Sequence, residues 1–235
     1  MRKMGIIGGM SWISTARYYE RINRRIRRET SPMSSAPLLI DSLNFAELYN
    51  LLEEDEWDRA AGVLIASAKG LEQAGAGGLI IAANSMHRLY DAIADAVEVP
   101  VLHIADTVGR KMAEGGHTSA ALLGTRNVMT ESFLRRRLVA HGVDLTPPDE
   151  GIVHELDRII YRELMVGKVT RDAQRAMKSI VTRLEQEGVR AIVLACTELE
   201  LVVDVEANVL PIFDTTQAHC DAAADWILGR ELVAA

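Results

Sequence analysis

Short apolar runs that stop at glycine or a polar residue alternate along this chain with longer stretches in which apolar residues recur every three or four positions. Buried parallel strands read as near-continuous apolar runs, and amphipathic helices as a 3.6-residue repeat. On that basis strands are predicted at residues 3–7, 36–42, 79–83, 99–104, 120–124 and 191–195. Helices are predicted between them. One is capped by Ser14 or Thr15 and runs through Tyr18, Tyr19, Ile22 and Ile26. Others cover residues 57–74, the stretch after Asn84 to about Ala96, a segment starting near Phe133, residues 172–186 and a terminal helix at 218–228. Gly8-Gly9 ends the first strand, and residues 75–78 end the second helix. Strands alternating with helices predict an α/β protein with parallel sheets.

The second half repeats the first at a shift of just over a hundred residues. Gly9 falls on Gly124, Thr15 on Thr130, Ala83 on Cys196 and Pro100 on Pro211, all in the same order. So long a period is outside the range of stacked short repeats. It predicts two similar Rossmann-like units, each a small parallel sheet flanked by helices: residues 1–104 plus 211–235 in the first, 105–210 in the second. If the units face each other about a pseudo-twofold axis, Ala83 and Cys196 approach one small ligand from opposite sides of a cleft.

Composition narrows the partners. The chain has 235 residues, 49% hydrophobic and 25% charged, enough for a large core. A net charge of -7 argues against nucleic acid or an anionic membrane as the main partner. Glycines break the N-terminal apolar stretch after a few residues, which predicts neither signal peptide nor membrane anchor, and a cytoplasmic location follows. Two cysteines, Cys196 and Cys220, make no disulfide framework, and no Cys/His cluster has zinc spacing.

The segment AIVLACTELE at 191–200 carries the sharpest chemistry. Ligands of open α/β sheets bind at the carboxyl ends of strands, where a thiol at a helix N-terminus gains thiolate character. A buried small hydrophobe is the plain alternative for Cys196. The first turn reads G-x-x-G-G and lacks the dinucleotide fingerprint. His87 and His103 lie on different predicted elements without an acidic partner, and read as structural histidines, His87 being the better functional choice because it follows Asn84 by three residues. Trp12 can shape a pocket mouth or pack. Cys220, Met129 and Met165 read as core, and Arg24-Arg25 and the run Arg135 to Arg137 as solvated helix faces.

GIIGGMSWISTARYY (5–19), NSMH (84–87), VLHIAD (101–106), LLGTRNVM (122–129), ACTE (195–198) and VLPIFDTTQAH (209–219) together resemble the aspartate/glutamate racemase family, in its amino-acid racemase branch, over essentially the whole chain. The resemblance implies two pseudosymmetric α/β domains, a homodimer, no cofactor, and an amino acid or dicarboxylate substrate deprotonated between two thiols. It makes Cys196 the second catalytic cysteine. Asn84, Ser85 and Thr197 would hold the α-carboxylate at two helix N-termini. Met10, Ser11 and Thr125 would line the pocket, Glu198 follows the cysteine as in the family, and Lys168 is a weaker match for the distal carboxylate.

Three positions depart from that pattern, each removing polar function. Ala83 stands where the family has a cysteine or threonine, Val128 where many relatives have a threonine, and no arginine occurs between Asn44 and Trp57. Alanine has no proton to give, so the expectation is a racemase whose action is slow, one-sided or abolished. A single-cysteine lyase of the same superfamily and a non-catalytic amino-acid-binding protein are the alternatives.

Overall fold

The computed structural model describes residues 1–205 and 208–230 and resolves into two compact units. Of the described residues, the first comprises 1–103 and 219–230, and the second 104–218. Residues 206–207 and 231–235, which the sequence reading assigned to the second and first units, lie outside the described residues.

The first unit holds β1 (Met4–Gly8), α1 (Trp12–Glu29), β2 (Leu38–Ser42), α2 (Phe45–Glu53), α3 (Trp57–Gln73), β3 (Gly78–Ile81), a 3-10 turn (Ser85–Leu89), α4 (Tyr90–Ala94) and β4 (Val101–Leu102). Its sheet is parallel, ordered β2-β1-β3-β4, with Ile6 opposite Ile40 and Ile80. The period-2 alternation of strand side chains splits the core into two layers. Ile7, Leu79 and Ile81 pack against Leu48, Leu64 and Ala68 from α2 and α3. Met4, Ile6 and Ile80 pack against Tyr18, Ile22 and Ile26 of α1 and against Cys220, Ala223 and Trp226.

The second unit holds α5 (Ile104–Glu114), β5 (Ser119–Gly124), α6 (Arg126–Thr130), α7 (Ser132–Ala140), β6 (Asp144–Leu145), α8 (Glu150–Arg162), a 3-10 turn (Leu164–Val166), α9 (Arg171–Gln186), β7 (Ile192–Ala195), a 3-10 turn (Leu199–Leu201), β8 (Ile212–Asp214) and the start of α10 (Thr215–Ile227). Its sheet, β6-β5-β7-β8, repeats the first in order and direction. Ala121, Leu123, Ile192 and Leu194 face α8 and α9, while Ala120, Leu122 and Val193 face α5 and α7.

Several boundaries differ from the sequence reading. Residues from 211 were assigned to the first unit, but Ile212 to Asp214 hydrogen-bond along β7, so the strand belongs to the second. Residues 219–230 belong to the first unit. Arg25 of α1 holds Asp221 and Asp225 at 2.9 and 2.8 Å, and Trp226 packs so closely on Gly78 that an added Cβ there would sit 2.8 Å from the indole. Ser11, not Ser14 or Thr15, caps α1, its Oγ accepting from Ser14 N–H. Arg135 is no solvated side chain: its guanidinium donates to the carbonyls of Met129, Leu145 and Thr146, and partial burial lowers its pKa. Among the described residues no helix is long and apolar enough to cross a membrane.

Candidate active site

In the second unit, β7 delivers Cys196 to the carboxyl edge of the sheet. Gly124 of β5 pairs with Ala195, so Thr125 and Cys196 leave adjacent strands side by side. The strands can approach there because position 124 lacks a side chain: a Cβ would lie 2.7 Å from the Ala195 carbonyl oxygen. Val128, where the resemblance implies a threonine, is buried in the core formed with α5 and α7.

After Cys196 the chain turns at once. Leu199 N–H donates to the Cys196 carbonyl, and Leu201 N–H to the Glu198 carbonyl, giving a single 3-10 turn. Cys196, Thr197 and Glu198 are all buried. The Cys196 thiol donates to Glu198 Oε2 at 3.3 Å, and Thr197 Oγ1 donates to the same oxygen at 2.6 Å. This overturns the expected thiolate. Burial raises the Cys196 thiol well above its usual range, and the Glu198 carboxylate raises it further. The Glu198 and Leu199 backbone N–H groups act in the opposite direction without outweighing burial. At neutral pH Cys196 is a protonated thiol.

The helix N-terminus expected after Cys196 is also absent: a single 3-10 turn, Leu199–Leu201, follows it, and so short a turn sums few peptide dipoles. After Asn84 the helix is present, opening as the 3-10 segment Ser85–Leu89 and running directly into α4.

In the first unit, β1 ends at Gly8-Gly9 and β3 at Ile81, on neighbouring strands. Gly9 has φ +87, and a Cβ there would lie 2.1 Å from the Leu43 carbonyl oxygen, so only glycine fits the turn. Thr15 Oγ1 accepts from Gly9 N–H at 2.7 Å and donates to the Ser11 carbonyl at 2.9 Å, tying down the loop that carries Met10 and Ser11, both buried. Ala83 and Asn84 are buried at the exit of β3, and Ser85 is half-buried. Ala83 belongs to the apolar cluster that includes Met10 and Met86.

The site residues thus fall into two groups. The first unit gathers Met10, Ser11, Ala83, Asn84 and Ser85 at the carboxyl ends of β1 and β3. The second gathers Thr125, Cys196, Thr197 and Glu198 at those of β5 and β7. Lys168 is exposed on the connection between α8 and α9. Glu163 is held below its usual range by hydrogen bonds from Thr170 and Arg158, with Lys168 adding a smaller share. Trp12 is exposed.

The sequence reading missed a buried histidine cluster beside Ala83. His87 Nδ1–H donates to the Ala83 carbonyl at 2.8 Å, and its ring lies 4.6 Å from His103 and 5.7 Å from His219. His219 Nε2–H donates to the Leu102 carbonyl, leaving Nδ1 to accept from Tyr18 O–H, both at 3.0 Å. Burial pushes His219 down to about 4. The three rings come from segments far apart in sequence, and no local spacing announces them. Among the described residues no group of three or more His, Cys, Asp or Glu could hold a metal.

His219 has a measurable consequence. Above pH 6.5 the ring is neutral in the folded and the unfolded chain. Between 6.5 and about 4 the unfolded chain takes up the proton and the folded chain refuses it. Stability therefore falls with pH through that window, by about 3 kcal/mol in all. Urea unfolding of the parent and of His219→Gln at pH 7, 5.5 and 4.5 checks this: the variant loses that part of the slope, and parallel slopes would contradict a buried neutral ring.

The model for the Asp/Glu/hydantoin racemases matches residues 7–223. The chain belongs to that family. Its fold is that of a candidate Asp/Glu racemase from Yersinia pestis, 37% identical, with TM-score 0.90 over 97% of this chain and 100% of that one. An aspartate racemase homologue from Pyrococcus horikoshii OT3 is 32% identical, with TM-score 0.83 over the same shares. The broad specificity amino-acid racemase RacX of Bacillus subtilis is 24% identical over 167 residues, 70% of each chain.

Proposed function

We propose that this chain is a pyridoxal-phosphate-independent amino-acid racemase that has kept one of its two acid/base groups. The observation that carries the reading is the buried Cys196 thiol, hydrogen-bonded to Glu198 at the end of β7, where the duplicated position in the first unit is Ala83. In this reading the α-carboxylate of an amino acid is held by Asn84, Ser85 and Thr197. Met10, Ser11 and Thr125 line the pocket, Glu198 serves the thiol, and Lys168 is the candidate for a distal carboxylate. Cys196 takes the α-proton from one face of Cα and returns it to the same face. Ala83, on the other face, supplies nothing. Racemisation then depends on water as the opposite acid, and loss of a positioned general acid costs about 10²- to 10⁴-fold. The reading includes a homodimer acting in the cytoplasm on a small amino acid.

Chiral chromatography of L- and D-amino acids after incubation tests this, with aspartate and glutamate foremost. The Bacillus relative's name supports a wide panel. The expected result is slow inversion, and turnover at about 1 to 10³ per second would refute the one-sided site.

A second reading has one observation in its favour. Cys196 is protonated at rest, the state that delivers a proton to an enolate formed by other means. A single-cysteine lyase would release carbon dioxide from a disubstituted malonate and leave amino acids untouched.

A further inference from the structure

We propose that His87 is a positioning residue of the site: its imidazole holds the exit of β3 in the conformation that presents Asn84 and Ser85 to a substrate carboxylate. The inference rests on reading those two residues as carboxylate holders, and it gives a role to a histidine that the proposed chemistry does not use.

β3 ends at Ile81, so the Ala83 carbonyl lies past the last residue of the strand. Ala83 is buried, and a buried carbonyl outside the sheet needs another donor. His87 supplies it. Nδ1 lies 2.8 Å from the Ala83 carbonyl oxygen, and because a carbonyl only accepts, Nδ1 carries the proton. The His87 backbone N–H donates to the Asn84 carbonyl at 3.2 Å. These two carbonyls belong to the peptide planes on either side of the Asn84 Cα. One residue thus fixes the backbone dihedrals that aim the Asn84 side chain, at φ -64 and ψ -47.

The imidazole is itself held. It stacks on Tyr90 at 6.4 Å and 8°, and meets His103 at 4.6 Å and His219 at 5.7 Å edge-on. Tyr90 O–H donates to the Val101 carbonyl at 2.8 Å, and His219 is bonded at both nitrogens. Rings from the end of β4 and from α10 therefore brace the one that braces the β3 exit. Packing would ask only for the bulk of the ring, whereas the bond to Ala83 asks for a donor at one particular nitrogen.

That difference makes the test. In the full-length protein, His87→Asn keeps an amide nitrogen where Nδ1 stands, and His87→Gln places it where Nε2 stands. Hydrogen exchange read by mass spectrometry follows the peptide covering residues 82–89. Kinetics follow α-proton exchange in deuterated water with whichever of a panel of amino acids, led by aspartate and glutamate, the parent exchanges fastest. In His87→Gln the peptide exchanges about tenfold faster, and KM rises about tenfold with kcat changed far less. His87→Asn restores both values toward the parent. Equal loosening in the two variants, no loosening in His87→Gln, or a loosened peptide with unchanged KM overturns the proposal. Should His87→Gln fail to fold, His87→Asn decides alone: a parent-like peptide and KM support the proposal, and a loosened peptide overturns it. If His87→Gln loosens and His87→Asn does not, but the parent exchanges no α-proton, His87 still holds the β3 exit and the racemase reading falls.

Discussion

Ala83→Cys is expected to turn a slow or silent chain into a racemase, with inversion at least about 10²-fold faster than the parent. The substitution restores a proton carrier at the position that matches Cys196 in the duplicated scheme. Two carriers on opposite faces of Cα let one thiol accept a proton while the other donates, which one thiol cannot do. Ala83 is buried in an apolar cluster just past the end of β3, and one added sulfur is a modest change in volume. Circular dichroism on heating shows whether the fold accepts it. Chiral chromatography gives the rate. A folded variant no faster than its parent would mean that residue 83 does not face the reacting carbon.

Cys196→Ser is expected to have the opposite effect, removing about 10²- to 10⁴-fold of whatever proton exchange the parent has. A serine hydroxyl is a far weaker acid than a thiol, and no base next to it is strong enough to ionise it readily. The fold should be spared, because the hydroxyl still donates to Glu198 and leaves no buried carboxylate oxygen stranded. Melting temperature and exchange rate are measured together: an unchanged melt with lost exchange is the predicted pair. Retained exchange would remove Cys196 from the chemistry.

The fold was legible where the apolar pattern was long and uninterrupted. Residues 57–74 and 172–186 predicted helices that the structure places at Trp57–Gln73 and Arg171–Gln186. The strand ending at Cys196 was equally plain, its four residues buried on both faces. Legibility failed where tertiary contacts decide. The apolar run at 99–104 read as one strand, but β4 is only Val101–Leu102, because His103 packs on the rings of buried His87 and half-buried Tyr90 and Ile104 opens α5. Helices α2, α5 and α8 were not predicted at all. The duplication matched Ala83 with Cys196, and the structure places both just past the ends of β3 and β7. Nothing in it tells an α-helix start from a 3-10 turn, which differ by one residue in hydrogen-bond spacing.

The ionisation of Cys196 shows a different kind of failure. The expected thiolate rested on a helix dipole that the fold does not provide, while the opposing charge stood two residues away in the sequence. Glu198 was visible as an acid and was read as a substrate contact. Only the geometry shows it turned toward sulfur at 3.3 Å. The histidine cluster had no local signal, since Tyr18 meets His219 across about two hundred residues of chain.

The central claim is a site with one working hand. Its most direct test is to incubate the purified protein with L- and D-amino acids in deuterated water and read mass and chirality together. The account predicts deuterium at Cα of one enantiomer only, with configuration retained. Deuterium in both enantiomers with rapid inversion would contradict it by showing a second acid/base group opposite Cys196.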